Sequence, residues 1–179
     1  MSIYCIHRNI KIWNANNFEC ILDLKNIYSK GHLSYASFLN DNNNIYIIVG
    51  HEIYNSNIEQ IKIFDLNGNM INKLNDSNEK DDISMYIETY YDKKLSKNYI
   101  IVGNLIGIKS YDYNENKIYK KYIDNDANHN KRYKSHSSII INYKNEIIEM
   151  IESSYDGNIR VWNFNSGELL KKYMSVRKI

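Results

Sequence analysis

Residue types that together perform acyl chemistry fall within one short span: His136, the pair Ser153-Ser154, and Asp156. A serine hydroxyl attacks a carbonyl when a histidine takes its proton and an aspartate holds the imidazole in the right tautomer. The setting argues against that use. Asp156 precedes Gly157 in a turn pair, where aspartate bonds its own backbone and glycine tolerates a positive φ. The serines end an apolar run and do not occupy the sharp strand-to-helix turn that presents a nucleophile. The sequence has no glycine-rich phosphate loop, no His-Glu-x-x-His and no paired-cysteine metal motif. No catalytic residue, metal or cofactor is therefore expected. Cys5 and Cys20 lack ligand spacing and read as free, mostly buried thiols, a disulfide between them being unforced. The basic patch Lys131-Arg132-Tyr133-Lys134, with Asp124 and Asp126 nearby, reads as a solvated loop before it reads as a localisation or nucleic-acid contact.

The totals bound the same question. A chain of 179 residues that is 43% apolar can build one sizeable domain with a packed core. It has no proline and 7 glycines, so its turns must come from Asn, Asp and Gly. The 23 basic and 21 acidic residues leave a net charge of +2, which provides no basic footprint for nucleic acid. No apolar run reaches the ~18 residues of a membrane span, and the first residues lack the apolar core of a signal peptide. A cytoplasmic location is expected, with the nucleus as the alternative.

The elements that must position these residues are strands. Over 147–173 an apolar run is followed by Asp156-Gly157, then Ile159-Arg160-Val161-Trp162-Asn163-Phe164, then Ser166-Gly167 and a last short run. Ile159 and Val161 alternate with Arg160 and Trp162, the period of a strand. The rest of the chain reads as copies of this unit. Ile10-Lys11-Ile12-Trp13-Asn14, Ile61-Lys62-Ile63-Phe64-Asp65 and Ile108-Lys109-Ser110-Tyr111-Asp112 repeat the alternating strand. The anchors Trp13, Phe64, Tyr111 and Trp162 lie 51, 47 and 51 residues apart, each followed by Asn or Asp. A β-sandwich has strands of this length, but no reason to repeat an aromatic-Asp/Asn pair on every third strand.

An Asp-Gly turn six residues before a Trp-Asn pair in the last unit, with an aromatic-Asn/Asp pair recurring at this period, resembles the WD40 β-propeller family, whose repeats run about 40–45 residues; His7, Ile58 and Leu105 stand at the Asp position of the other units. The resemblance covers nearly the whole chain. It implies an all-β arc of about four four-stranded antiparallel blades, at about 1–24, 32–75, 82–122 and 136–173, the first incomplete. It further implies a buried structural tetrad, met in full only in the last unit: Asp156 accepting from His136, His136 meeting Ser154 (or Ser153), and that hydroxyl meeting the indole of Trp162. Propellers close rings of four to eight blades, so the arc reads as part of a longer propeller. Blades from another chain, or a four-blade ring completed by 174–179, are the alternatives.

In such an arc the connections 25–31, 51–59, 75–82 and 124–136 lie on one face and are the long ones. Binding loops concentrate where a rigid scaffold permits length. His51, Glu52, Tyr54, Lys131, Arg132 and Lys134 are the candidate interaction residues. The expected function is a non-enzymatic scaffold or adaptor that binds other proteins and can self-associate through open blade faces, without membrane or nucleic-acid partners. The rivals are an RNA-associated propeller subunit and a propeller-based hydrolase.

Overall fold

The computed structural model describes residues 1–6, 9–27, 32–52, 61–74, 86–103, 107–124, 135–144, 147–154 and 156–174, with the backbone alone for 4–6, 32, 34, 51–52 and 135–144. Among the described residues every element is a strand. Four antiparallel meanders follow one another along the chain. The first has three strands, β1 (Ser2–Ile6), β2 (Asn9–Trp13) and β3 (Cys20–Leu24). The second runs β4 (His32–Asp41), β5 (Asn44–Glu52), β6 (Ile61–Phe64) and β7 (Met70–Leu74). The third is β8 (Tyr86–Asp92), β9 (Lys97–Gly103), β10 (Ile108–Asp112) and β11 (Lys117–Tyr122). The fourth is β12 (Ser135–Lys144), β13 (Ile147–Ser154), β14 (Ile159–Asn163) and β15 (Leu169–Tyr173). Neighbouring sheets approach at β1 and β4, β4 and β8, and β8 and β12. The sheets are therefore blades fanned along their first strands into an unclosed arc.

The repeated sequence unit has a repeated geometry. Each anchor sits on the third strand of its blade, or its equivalent β2, where the register against the last strand slips. The slips fall between Ile12 and Trp13, Ile63 and Phe64, Ser110 and Tyr111, and Val161 and Trp162. Such a bulge adds a residue to one strand and increases the local twist. The Asn or Asp after each anchor uses its side-chain oxygen to accept turn N–H groups. Asn14 accepts from Asn16 at 2.9 Å, Asp65 from Asn67 at 2.9 Å, Asp112 from Glu115 at 3.1 Å and Asn163 from Asn165 at 3.0 Å. Each pair thus closes its own hairpin by an Asx turn.

Each of these turns also needs one left-handed residue. Gly68 (φ 87°) and Gly167 (φ 79°) supply it cheaply, whereas Phe18 (φ 58°) and Asn116 (φ 51°) fill it with side chains. The two glycines meet a second demand, since they lie against the last strand of the preceding blade. A Cβ would come to 2.7 Å from Leu24 at Gly68 and to 2.9 Å from Lys120 at Gly167.

The core is layered between blades. Ile10 and Ile12 pack with Ile47, Val49 and Phe64 between blades one and two. Ile48, Ile63 and Leu74 meet Ile87, Ile100 and Tyr111 between two and three. Tyr99, Ile101 and Tyr122 meet Met150, Trp162 and Phe164 between three and four. From the second blade on, the anchor is thus the side chain a blade inserts into its predecessor. Polar bonds accompany this packing: Thr89 donates to the Phe38 carbonyl at 3.0 Å, and the Tyr122 hydroxyl to the Phe164 carbonyl at 2.7 Å. Burial raises the Tyr122 phenol above its usual range, so it remains a donor.

One expectation about the cysteines does not hold. Cys20 is a free thiol but exposed, because it opens the outermost strand of its blade. The Cys5 side chain lies outside the described residues.

Candidate functional site

The Ser154–Asp156 pair sits where β13 turns into β14. Gly157 (φ 80°) makes the turn, and its N–H donates to the Ser154 carbonyl at 3.0 Å. Asp156 accepts from the backbone N–H of Asn158 at 3.0 Å and from its side-chain amide at 2.9 Å. The Ser154 hydroxyl donates to Asp156, and the two side chains form one unit.

The group that organises this unit is Arg160, whose side chain is fully buried. Its Nη1 donates to Ser154 Oγ at 2.6 Å, its Nη2 to Asp156 Oδ2 at 2.5 Å and its Nε to Asp124 Oδ2 at 2.8 Å. Glu152 Oε1 lies 3.6 Å from Nη1, and Lys172 Nζ lies 2.6 Å from Asp124. A guanidinium has donors in a fixed planar fork, and here they are divided among several acceptors. Asp124 follows β11 and so belongs to the exit of the third blade. Arg160 and Lys172 therefore tie that exit to the third and fourth strands of the next blade.

Electrostatics follow from the geometry. Burial alone would raise the Asp156 carboxyl, but the hydrogen bonds from Arg160, Ser154 and the Asn158 backbone outweigh it and hold the group well below the usual carboxylate range. A carboxylate so held is a poor proton acceptor. Ser154, buried and bonded to Asp156 and Arg160, has its oxygen committed on both sides. The arrangement locks a turn; it presents no nucleophile. Among the described residues no group of three His, Cys, Asp or Glu side chains could hold a metal ion.

Of the sequence-derived site residues, Ser154 and Asp156 are together. Trp162 is buried in the layer between blades three and four, and its Nε1 has no hydrogen-bond partner among the described residues. The backbone of His136 lies in β12 between Ser135, which pairs with Ser154, and Ser137, which pairs with Ser153. Its side chain is outside the described residues, as are the side chains of His51 and Glu52 and the whole of Tyr54, Lys131, Arg132 and Lys134. Arg160 is a site residue that sequence reasoning misses, although the sequence carries a signal for it. A basic residue stands two places before every anchor, at Lys11, Lys62, Lys109 and Arg160. Lys62 makes the corresponding reach, donating to the Ile27 carbonyl at the exit of blade one at 2.8 Å. Asp124, which the sequence groups with a solvated loop, is buried.

No family model matches the sequence, and no curated protein matches it. Among solved structures the chain is similar to the crystal structure of the WD40 β-propeller domain of Doa1, with a TM-score of 0.65 at 13% identity. The fold is that of a WD40 β-propeller arc. The similarity covers 94% of this chain and 48% of that one, so the chain spans about half the length of the propeller it matches. In WD40 terms, the repeated bulge, the Asx-capped hairpin and the anchor inserted into the preceding blade are the unit, and the Arg160 cluster is the polar lock between the last two blades. Among the described residues no helix is long and apolar enough to cross a membrane.

Proposed function

We propose that the protein is a non-enzymatic scaffold or adaptor that binds other proteins through the connections on one face of its WD40 arc. The observation that carries this reading is the state of Ser154 and Asp156. Ser154 and Asp156, the pair whose residue types suggest hydrolase chemistry, are bonded to Arg160, which also bonds Asp124 at the exit of the preceding blade. The opposite face supports it by contrast, since its hairpin turns are short and closed by their own Asx bonds. Rigid short turns on one side leave length for recognition on the other. The connections 51–59 and 124–136 are the proposed contact segments, with His51, Glu52, Tyr54, Lys131, Arg132 and Lys134 as the contact residues. Of the expected tetrad, the contact of His136 with Asp156 is proposed as a supporting part of the same turn; the Ser154 hydroxyl bonds Asp156 and Arg160 and not the Trp162 indole. The cell interior, cytoplasm or nucleus, is the proposed location.

The test is affinity capture with the intact chain, with a variant shortened within 51–59, and with one carrying Lys131→Ala, Arg132→Ala and Lys134→Ala. Captured proteins should be lost from both variants while thermal melting stays unchanged. Loss caused instead by Asn67→Ala or Asn165→Ala would place binding on the other face. Hydrolase activity in the wild type that disappears in Asp156→Ala without a drop in melting temperature would overturn the scaffold reading.

A further inference from the structure

Each blade ends in an outer strand, β3, β7, β11 or β15, whose far edge has no strand beside it among the described residues. An open edge offers unpaired N–H and C=O groups to any extended chain, and lysines along it are a common guard. Three of these edges carry that guard: Lys73 on β7, Lys117, Lys120 and Lys121 on β11, and Lys171 and Lys172 on β15. β3 reads Cys-Ile-Leu-Asp-Leu and has none. Its one charge, Asp23, is met within the chain by Lys11 at 3.3 Å. All four outer strands share the bulge beside the anchor, so the bulge does not set β3 apart.

The openness of this edge belongs to the outer rim, and a neighbouring blade does not close it. Ile21, the bulged residue of β3, is 48% exposed with blade two beside it. Its counterpart Ile71 is 43% exposed with a blade on either side. Glu19 and Lys25 flank β3 and correspond, by register, to Lys117 and Ile123 of blade three. Those too are exposed between two blades, the Lys117 side chain by 66% and Ile123 by 41%. Glu19 is exposed, and the Lys25 side chain is 69% exposed although its Nζ lies 3.9 Å from Asp23.

We infer that β3 is a dimerisation edge, pairing antiparallel with β3 of a second copy about Leu22, so that the first blades of the two copies form one continuous sheet. The occupant follows from the charges, because the edge is complementary to itself. Left-handed residues, Phe18 (φ 58°) and Asn26 (φ 52°), bound the stretch 19–25, and Leu22 is its centre. Pairing about Leu22 sets Glu19 of each copy opposite Lys25 of the other. It also sets Cys20 opposite Leu24, and Ile21 opposite an Asp23 already neutralised by Lys11. A shift of two residues one way sets Glu19 opposite Asp23, and the other way Asp23 opposite itself; like charges so placed repel. Main-chain bonds supply the affinity of strand addition, and the flanking pairs fix its register. The contact is isologous, which gives a finite particle.

Sedimentation equilibrium with charge exchange tests this. The wild type should be a reversible dimer of the 21.3 kDa chain. Glu19→Lys and Lys25→Glu should each weaken it about tenfold or more, since each replaces two exposed ion pairs by two repulsions. Ile21→Lys, which gives β3 the guard its counterparts carry, should do the same. The double variant, Glu19→Lys with Lys25→Glu, should restore the dimer, and the two single variants mixed should recover it as a one-to-one pair. Far-UV circular dichroism should be unchanged in all of them. A wild type that stays monomeric at high concentration overturns the inference. So does association that withstands Glu19→Lys or Ile21→Lys, which would come from another surface, or a double variant that fails to restore the dimer.

Discussion

Replacing Arg160 with methionine removes the cation from a cluster that is buried at Arg160, Asp124 and Glu152 and partly open to water at Asp156 and Lys172. The side chain of Arg160 is 0% exposed, and those of Asp124 and Glu152 are 2% and 0% exposed. Lys172 stays with Asp124 at 2.6 Å, so that carboxylate keeps one partner. Asp156 and Ser154 lose the guanidinium and keep only each other and Asn158, and the tie between the exit of blade three and the strands of blade four is halved. Breaking a buried ion pair by removing one partner costs about 3–5 kcal/mol, because the remaining charge is left in a poor environment. For a chain of this size each kcal/mol moves the melting temperature by about 2–4 °C, so a fall of about 6–20 °C is expected. Arg160→Lys should fall between the two, since an ammonium keeps the charge but not the planar fork. The assay is thermal melting at neutral and acidic pH. The bonds to Asp156 hold its carboxyl below its unfolded value. Their stabilisation is therefore present above about pH 4 and lost as pH falls through the lowered folded value, so the gap between wild type and Arg160→Met should narrow in acid. A melting temperature within about 2 °C of wild type at neutral pH, less than the shift expected for 1 kcal/mol, would refute the assignment of Arg160 as the lock.

Other perturbations separate the packing role of the anchors from their polar roles. Trp162→Ala should cost about 3–5 kcal/mol through lost packing. Trp162→Phe should cost much less, because no hydrogen bond to Nε1 is broken among the described residues; chemical denaturation compares the two. Tyr122→Phe should destabilise by about 1–3 kcal/mol in the same assay, since it leaves the buried Phe164 carbonyl without its donor at 2.7 Å. Phe18→Gly should raise the melting temperature. Relief of about 1–2 kcal/mol of left-handed strain exceeds the roughly 0.4–1 kcal/mol that glycine adds to the freedom of the unfolded chain. Asp156→Asn should flatten the loss of stability between about pH 4 and pH 2, measured by melting across that range.

How much of this is legible in the sequence differs by element. The third strands are legible because one strand of each blade alternates and ends in an aromatic followed by Asn or Asp. That pair has two local causes, insertion into the neighbouring blade and closure of the hairpin, and both write themselves into adjacent residues. Strand ends are less legible: the apolar pattern starts a strand at Phe18, whereas β3 begins at Cys20 after a left-handed Phe18. Residue type does not announce a positive φ when the usual glycine is replaced. In the candidate site, Ser154 and Asp156 are legible because their spacing to Trp162 fits the WD40 pattern in the last unit, although the other three units have His7, Ile58 and Leu105 at the Asp position. The role of Arg160 is not, because alternation places a basic residue on a strand face without saying whether that face is wet. The acceptor Asp124 lies 36 residues away, and only the packing of one blade on the next brings it to Arg160.

The four repeats form successive blades with the same bulge beside each anchor. Cross-strand backbone nuclear Overhauser effects test it most directly. Contacts should pair Ile12 with Leu22, Ile63 with Asn72, Ser110 with Lys120 and Val161 with Lys171. One step on, the shifted pairs Trp13 with Cys20, Phe64 with Met70, Tyr111 with Ile118 and Trp162 with Leu169 are expected. Unshifted pairs at the anchors, or strands of one repeat paired with those of another as in a sandwich, would contradict it.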